Sequence, residues 1–429
     1  NLLLTAEKFV AIASRYGPPL DQPLKEAWRV FLFSQERNLL GGRTVPPATE
    51  DTLALYDQVE SLVKPILDKA LQLITLHIDT RFLANPIVVF NPLGWKRSGE
   101  VITPIPDPRV REWIARDDEG KFHAVQKIID PGTQQESLLF VAKDVPAFGY
   151  RVYSIFPAPQ KVFNPCKVSQ DALETPNFKV VLGRGASDIS QIRSKDLAWQ
   201  ILSGPGNELQ ILEEVGDSEG KLSFTGITFQ VGPFTRREVI ESGPVRVAVR
   251  IRNRLLGEHT TFVREISLTN GLEWVSFATY IEWNSAERLV KASFPVSIKS
   301  SKAFFDEAFG SVERPADGRE RFGRLWVDIS DGQRGVALLN ANRSGYDVRP
   351  GLVRLTLLRS PTWPARNNDG GNHTVPYAIY PHIGDWKKGK VWKRAWEFNV
   401  PLLAIPVPTH SGALPRKASF FSVEPDSVM

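Results

Sequence analysis

The residues with the most useful chemistry in this sequence are its six histidines, and their spacing alone assigns them no role. They are His77, His123, His259, His373, His382 and His410. No two have the i, i+4 spacing of a helical zinc site, and no glycine-rich phosphate loop follows a predicted strand. His77 and Asp79 have the spacing of a His-x-Asp metal pair, but so short a motif more often marks the solvated end of a helix.

Two polar loops suggest a different chemistry. One runs from Asp369 to His373 and the other begins at His382, in a region that also contains Trp363, Trp386 and Trp392. A pyranose has a flat CH face and a ring of hydroxyls, so exposed aromatic rings beside polar loops suit sugar binding. Ordinary packing of loops around tryptophans explains the same residues at least as well.

Composition and charge exclude several classes of protein. Of the 429 residues, 42% are hydrophobic and 24% charged, which supplies large cores and argues against disorder. The net charge of +5 is spread along the chain without a basic patch, so we expect no nucleic-acid partner. No apolar run approaches the roughly 20 residues of a membrane span, so we expect no membrane partner.

The single cysteine and the chain ends bear on location. Cys166 alone cannot form an internal disulfide or a cysteine zinc site, and it fits a reducing compartment. The apolar run after Asn1 lacks the basic start and cleavage site of a signal peptide, so we predict a cytoplasmic protein. There is no initiator methionine, and the only methionine is Met429, which favours a piece of something longer or a processed chain.

The first eighty residues have the apolar periodicity of helices. Short links between three helices favour a small bundle over residues 1–80. The helices are predicted over about 2–15, from an N-cap at Asp21 to Gly41-Gly42, and over about 49–78 with Pro65 inside.

After about residue 84 the apolar period falls to two, which indicates strands. Asn270-Gly271, between two alternating runs, is the strongest hairpin signal. Strands are also predicted over 87–90, 138–141, 178–182, 244–252, 336–339, 353–358 and 398–406. Without strand–helix alternation, the fold class is α+β and mainly β: the helical bundle, then antiparallel β-sandwich domains. A break near Pro157-Ala158-Pro159 separates a small β domain, 81–160, from a large one, 161–429.

Several segments, in order along nearly the whole chain, resemble the α-mannosidases of glycoside hydrolase family 38. Residues 1–9 and 26–28 are similar to the family's helical middle domain, and residues 89–95 to its "FNPL-W" entry into the β region. Further similar segments are 279–284 with 289–295 ("DW-N…LK-FPV"), 305–315 ("D-P-G-I-RP"), 345–347, 357–361, 369–373 and 380–382.

The resemblance implies a retaining glycosidase that uses an Asp nucleophile, an acid/base carboxylate and a zinc ion. In the family, the nucleophile and most zinc ligands belong to an N-terminal barrel, and this chain is similar only to the parts that follow the barrel. The middle domain contributes a His-Asp pair in a "Q-x-HD-x-L-x-G" stretch, which here reads Gln35 to Gly42 with Arg37 and Asn38 in place of the pair.

Arg37 is a poor substitute for a zinc ligand. A guanidinium has no lone pair to donate to a metal and stays charged. At about 4 Å from Zn²⁺ and an effective dielectric of about 20, it would repel the ion by roughly 8 kcal/mol. We therefore expect this chain to hold no zinc and no other cofactor. A second departure is the segment 340–344, where the family tends to have Asp, Lys and Tyr before the glycine.

We hypothesise that the chain is the middle and C-terminal portion of an α-mannosidase-like glycosidase and is inactive alone, for want of nucleophile, acid/base and metal. Its expected partners are mannosides and a catalytic barrel. Two alternatives remain: a carbohydrate-binding module without turnover, and a structural module that completes a separate barrel. Arg37 and Asn38 would face the former active-site cleft. The possible sugar-contacting residues are Tyr346, Asp347, Asp369, His373 and His382.

Overall fold

The computed structural model describes residues 1–36, 39, 44–130, 132–159, 162–183, 189–216, 223–362 and 369–421. Arg37, Asn38, Gly41-Gly42 and Trp363 lie outside these residues. The chain divides into two compact units, Asn1–Phe163 with Val400–Met429, and Asn164–Asn399.

In the described part of the first eighty residues, three helices lie close to the predicted positions, although the second ends at Phe33, earlier than the predicted end at Gly41-Gly42. They are α1 (Leu2–Ala13), α2 (Asp21–Phe33) and α3 (Pro46–Thr75). Asp21 is the first residue of α2 and not its N-cap, which is Leu20. Its carboxylate pairs with Lys25 one turn later, at 2.8 Å, which favours an acidic residue inside the first turn.

Helix α3 continues through Pro65, although proline removes a hydrogen bond from a helix interior. Val63, Ile66 and Leu67 around it are buried in the core of the first unit. Burial of an apolar face supplies most of the stability of a helix in a folded protein, so it offsets the proline.

Among the described residues after α3, the remaining elements are 28 strands and one helix. The strands are β1 (Pro86–Asn91), β2 (Arg97–Pro104), β3 (Trp113–Asp117), β4 (Phe122–Ile129), β5 (Glu136–Val145), β6 (Gly149–Pro157), β7 (Lys167–Val168), β8 (Ala172–Glu174), β9 (Phe178–Leu182), β10 (Ile189–Ser194), β11 (Trp199–Gln200), β12 (Glu208–Val215), β13 (Ser223–Phe229), β14 (Arg236–Ser242), β15 (Arg246–Arg254), β16 (Thr261–Thr269), β17 (Val275–Trp283), β18 (Arg288–Pro295), β19 (Lys302–Glu307), β20 (Gly310–Pro315), β21 (Arg321–Phe322), β22 (Trp326–Ser330), β23 (Arg334–Asn340), β24 (Gly345–Arg349), β25 (Leu352–Ser360), β26 (Gly371–Ile383), β27 (Leu403–Pro406) and β28 (Lys417–Ser419). The helix is α4 (Val391–Asn399).

One eight-stranded antiparallel sheet organises the first unit, in the order β2-β5-β4-β3-β6-β1-β27 with β28 paired to β6. Strand β1, which lies between β6 and β27, is buried along its whole length. Val88 and Phe90 point into a core shared with the three helices, whereas Ile87 and Val89 point into a second core on the opposite face. The two-residue period of a strand therefore lets β1 serve two cores. The helices are packed on a sheet and do not enclose a core of their own.

Three antiparallel sheets make up the second unit, in the orders β11-β10-β9-β8-β7, β13-β12-β18-β25-β24-β21 and β14-β15-β16-β17-β26-β23-β22-β19-β20. Most of their buried apolar residues form one core, and a smaller apolar cluster includes Trp326, Tyr380 and residues of α4. The hairpin predicted at Asn270-Gly271 is confirmed, since β16 and β17 are paired, with Ser267 opposite Ser276. The mainly β, antiparallel fold class is thus confirmed.

The strand predicted over 398–406 is wrong in its first half. Phe398 belongs to α4, and only Leu403–Pro406 is a strand. Helix α4 covers the outer face of the nine-stranded sheet, where Trp326 and Tyr380 are buried and Trp392 and Trp396 pack on them. The two-residue apolar period that was used to predict strands did not reveal this helix, because aromatic residues lie on both of its sides. The predicted division into three domains stays a prediction, because contacts within the folded chain do not show whether a segment folds on its own.

In the described part of the chain, no helix is long and apolar enough to cross a membrane.

We expect Phe90→Ala to lower the free energy of unfolding by about 3–5 kcal/mol, because it empties a site that helices and sheet share. Urea unfolding followed by circular dichroism measures the loss. The matched control is Phe122→Ala on the same sheet, whose side chain is exposed and which should change stability by less than about 0.5 kcal/mol. Equal effects of the two substitutions would contradict the shared core.

Candidate functional site

A pocket of about 420 Å³ lies in the second unit, where β24 begins and β25 ends. Because these strands are antiparallel neighbours, their two termini meet at one end of the six-stranded sheet. The pocket's polar side chains come from four segments of the chain and are Glu320, Arg321, Arg343, Ser344, Thr356, Arg359, Asp369 and His373.

Asp369 and His373, both predicted from the sequence, lie together in this pocket. A ring nitrogen of His373, Nε2, is 2.8 Å from the backbone oxygen of Asp369, which fixes the imidazole against the loop. Burial raises the pKa of the Asp369 carboxyl, and the neighbouring His373 and Arg343 act in the opposite direction.

Arg343 is one of the pocket residues that the sequence analysis did not single out as a candidate. Its Nε donates to the backbone oxygen of Leu357 at 2.6 Å, which holds the guanidinium over the end of β25. Burial lowers the pKa of this group. In the sequence, the departure from the family pattern over 340–344 was the only indication that this segment is unusual. It did not indicate that the Arg343 side chain lines a pocket.

A buried ionic network forms the floor of the pocket. The Lys291 ammonium on β18 is almost fully buried and donates to Asp347 Oδ2 at 2.6 Å, to a Glu320 oxygen, and to Thr356 Oγ1 at 3.2 Å. Arg354 pairs with the other oxygen of Asp347 at 2.7 Å. Glu320 also accepts from the Thr356 hydroxyl, so its carboxylate is held in one position.

Gly345 allows this floor to close. A Cβ at this position would lie 2.5 Å from Glu320 Oε1 and 3.0 Å from the Thr356 Cβ. The glycine is therefore required by the close approach of the Glu320 carboxylate and not by its backbone conformation.

Two predicted sugar-contacting residues lie beneath the pocket and not on its surface. Asp347 is occupied by the network, and Tyr346 is fully buried with its hydroxyl bonded to Asn340. Burial raises the pKa of the Tyr346 hydroxyl. Adjacent residues of a strand point to opposite faces, and here both faces are covered, so neither side chain offers a surface to a ligand.

His382, the fifth predicted residue, lies elsewhere. It is buried near the end of β26, where its Nε2 is 2.7 Å from Asp328 Oδ1, and it lines a different cavity. Trp386 packs on Trp326 at 5.4 Å and on Phe304 at 5.9 Å. For that loop, packing around tryptophans is the interpretation that the structure supports.

The first pocket combines groups that suit a polyol. Glu320 and Asp369 are acceptors, Arg343 is a donor, and Phe322 at the rim has a half-exposed ring. No group of three His, Cys, Asp or Glu residues able to hold a metal occurs among the residues described by the structure. Arg37 and Asn38 cannot be placed relative to this pocket, since they lie outside that set.

Comparison with known proteins places this chain beside one group of glycosidases. The model of the glycosyl hydrolases family 38 C-terminal domain matches residues 173–367. Alpha-mannosidase 2C1 of Mus musculus is 25% identical over 439 residues, which cover 95% of this chain and 38% of the mouse protein. Alpha-mannosidase G of Dictyostelium discoideum is 32% identical over 173 residues, covering 38% of this chain and 16% of that protein.

The fold has a solved counterpart. The crystal structure of an alpha-mannosidase from Enterococcus faecalis V583 matches with a TM-score of 0.77 at 15% identity, covering 97% of this chain and 57% of that one. At this identity the match shows a common fold. The chain spans only 38% of the length of the mouse relative, so the activity of the whole relative does not transfer to it directly.

We expect Lys291→Met to lower the free energy of unfolding by about 3–5 kcal/mol, because it leaves the Glu320 carboxylate without its cation and the buried Asp347 carboxylate with Arg354 alone. The shift of the urea midpoint measures this. Lys302→Met is the control, since Lys302 pairs with Glu313 on an exposed hairpin and should cost less than about 1 kcal/mol. A Lys291→Met protein as stable as the control would show that the network is dispensable.

Proposed function

We propose that this chain, which is like the α-mannosidases of glycoside hydrolase family 38 in sequence and fold, is the non-catalytic helical and β portion of such an enzyme. Its pocket of Glu320, Arg343, Asp369 and His373 contacts a mannoside. The chain alone does not hydrolyse the glycosidic bond, because the nucleophile and the acid/base carboxylate of the family belong to a barrel that none of its motifs resembles. A cytoplasmic location stays a prediction.

The observation that carries the proposal is the side-by-side arrangement of Asp369 and His373 with Arg343 in one pocket. Sugar hydroxyls donate and accept at once, so they pair well with a carboxylate beside a guanidinium. The exposed ring of Phe322 provides an apolar surface for a CH face. A volume of about 420 Å³ lies within the usual range for small-molecule sites.

The proposal includes no zinc site in this chain. In the family pattern, a histidine at position 37 would bind zinc, and a guanidinium there has no lone pair to donate.

The mannoside proposal predicts binding without turnover. Titration calorimetry with methyl α-mannoside should give a measurable affinity. Asp369→Asn should weaken that affinity by about tenfold, because it removes a charged acceptor while keeping the shape of the side chain. The control Asp171→Asn, an exposed position of the same unit, should bind like the unsubstituted chain. With 4-nitrophenyl α-mannoside and added Zn²⁺ or Co²⁺, no hydrolysis is expected.

Two results would contradict this function. One is an Asp369→Asn protein that binds methyl α-mannoside as tightly as the Asp171→Asn control. The other is hydrolysis by the purified chain that a chelator abolishes, which would mean that the chain holds a catalytic metal and nucleophile after all.

A second function, completing a separately encoded barrel, is favoured by exposed apolar side chains on the helices. Leu32 and Phe33 at the end of α2 are 63% and 76% exposed, and Val45 and Leu53, just before and within the start of α3, are also exposed. Helices α2 and α3 pack on each other, and exposed apolar side chains on neighbouring helices are typical of a surface that binds another protein.

This function predicts that the chain co-purifies with a separately expressed family 38 barrel. The double substitution Phe33→Ser with Leu53→Ser should weaken the association at least about tenfold, because it removes two apolar contacts. Phe163→Ser is the control, since Phe163 is equally exposed but lies outside the helices. Equal retention of both variants would exclude the helices as the docking surface.

A further inference from the structure

A second cavity, of about 520 Å³, lies in the unit Asn164–Asn399 and shares no lining residue with the first pocket. It is formed where the end of β26 meets the start of α4, and its walls include His382, Lys388 and Lys390. No part of the proposed mannoside function uses this cavity.

The charges at the start of α4 are arranged against the helix. The amino-terminal end of a helix carries a partial positive charge and favours acidic side chains. Helix α4 has no acidic residue in its first turn, and Lys388 and Lys390 immediately precede it. Neither ammonium has a carboxylate partner in the parts of the chain that the structure describes. Positive side chains next to the positive end of a helix dipole are unfavourable, and such an arrangement is expected where a site binds an anion.

The acidic side chains of the cavity do not neutralise these lysines. Glu273 pairs with Arg394 at 2.5 Å, and Arg394 also pairs with Glu397 at 2.7 Å. Asp196 accepts a hydrogen bond from the Asn177 amide at 2.7 Å. Each acid of the cavity wall therefore already has a donor of its own.

His382 provides an independent indication of a ligand. Its side chain is 1% exposed, and its Nδ1 has no hydrogen-bond partner among the described residues. A Cβ on Gly389 would lie 2.4 Å from this nitrogen, so the nitrogen faces the backbone of Gly389, and both residues line the cavity. A buried nitrogen without a partner is uncommon and calls for a polar group nearby.

We propose that this cavity is an anion site for a phosphate group, free or as a phosphomonoester, held by Lys388 and Lys390 at the amino-terminal end of α4. Lysine is a common phosphate ligand, and charge-assisted bonds to phosphate are stronger than neutral ones. Phe178, Leu197 and Ile383 also line the cavity, and they provide an apolar surface for the organic part of an ester.

The test is titration calorimetry of the full chain with inorganic phosphate and with glycerol phosphate, at constant ionic strength. The double variant Lys388→Gln with Lys390→Gln should bind at least about tenfold more weakly, because it removes both charged donors. Lys387→Gln is the matched control: Lys387 is an exposed neighbour whose ammonium lies 5.4 Å from the Trp386 ring and which does not line the cavity. Thermal unfolding confirms that both variants are folded.

Binding by the unsubstituted chain and by Lys387→Gln, with the stated loss in the double variant, supports the site. Tighter binding of glycerol phosphate than of inorganic phosphate identifies an ester as the ligand, and equal binding identifies phosphate itself. No binding of either probe, or equal affinity in the double variant and the control, overturns the proposal. Neither outcome depends on whether the chain binds mannosides.

Discussion

Burying a charge is the constraint on which both units depend. In the second unit, the Lys291 ammonium lies among Asp347, Glu320 and Thr356. In the first, the guanidinium of Arg151 is equally buried beside Asp117, at 3.0 Å, and Asp118. Desolvating an ion costs several kcal/mol unless oppositely charged groups surround it. Each cluster therefore fixes the relative positions of the segments that supply its members.

The candidate site follows from this constraint. The six-stranded sheet has one apolar face in the common core and one face carrying charged side chains. Lys291 fixes Glu320 from below, and Gly345 leaves room for the carboxylate. Arg343 and Asp369 then complete a pocket whose floor cannot easily rearrange. A rigid floor lowers the entropy lost when a flexible polyol binds.

The two cavities of the second unit differ in chemistry because they differ in how their charges are balanced. In the first, the carboxylates of Glu320 and Asp369 line the pocket together with the guanidinium groups of Arg321, Arg343 and Arg359, so both donors and acceptors are present. In the second, both acids are already paired, and the lysines before α4 are left facing a helix end of the same sign. A mixed set of donors and acceptors suits hydroxyls, whereas an excess of cations suits an anion.

The sequence by itself determined the local structure and the order of elements. Apolar periods of 3.6 and 2 located α1 to α3 and most long strands, because side-chain burial in a helix or strand repeats with the backbone geometry. Asn270-Gly271 predicted a hairpin. The resemblance to the family 38 α-mannosidases identified Asp369 and His373, four residues apart in one loop, as candidates for the same site. Helix α4 was missed because aromatic residues on both of its sides hide the period.

Only the tertiary structure decided which polar residues meet. Lys291 and Asp347 are 56 positions apart in the sequence, and His382 and Asp328 are 54 apart, so no local pattern links them. Tyr346 and Asp347 were candidates for sugar contact in the sequence, yet the strands around them bury both. Burial and pairing depend on which strands become neighbours, and that is set by the packing of whole sheets and not by the residues of one segment.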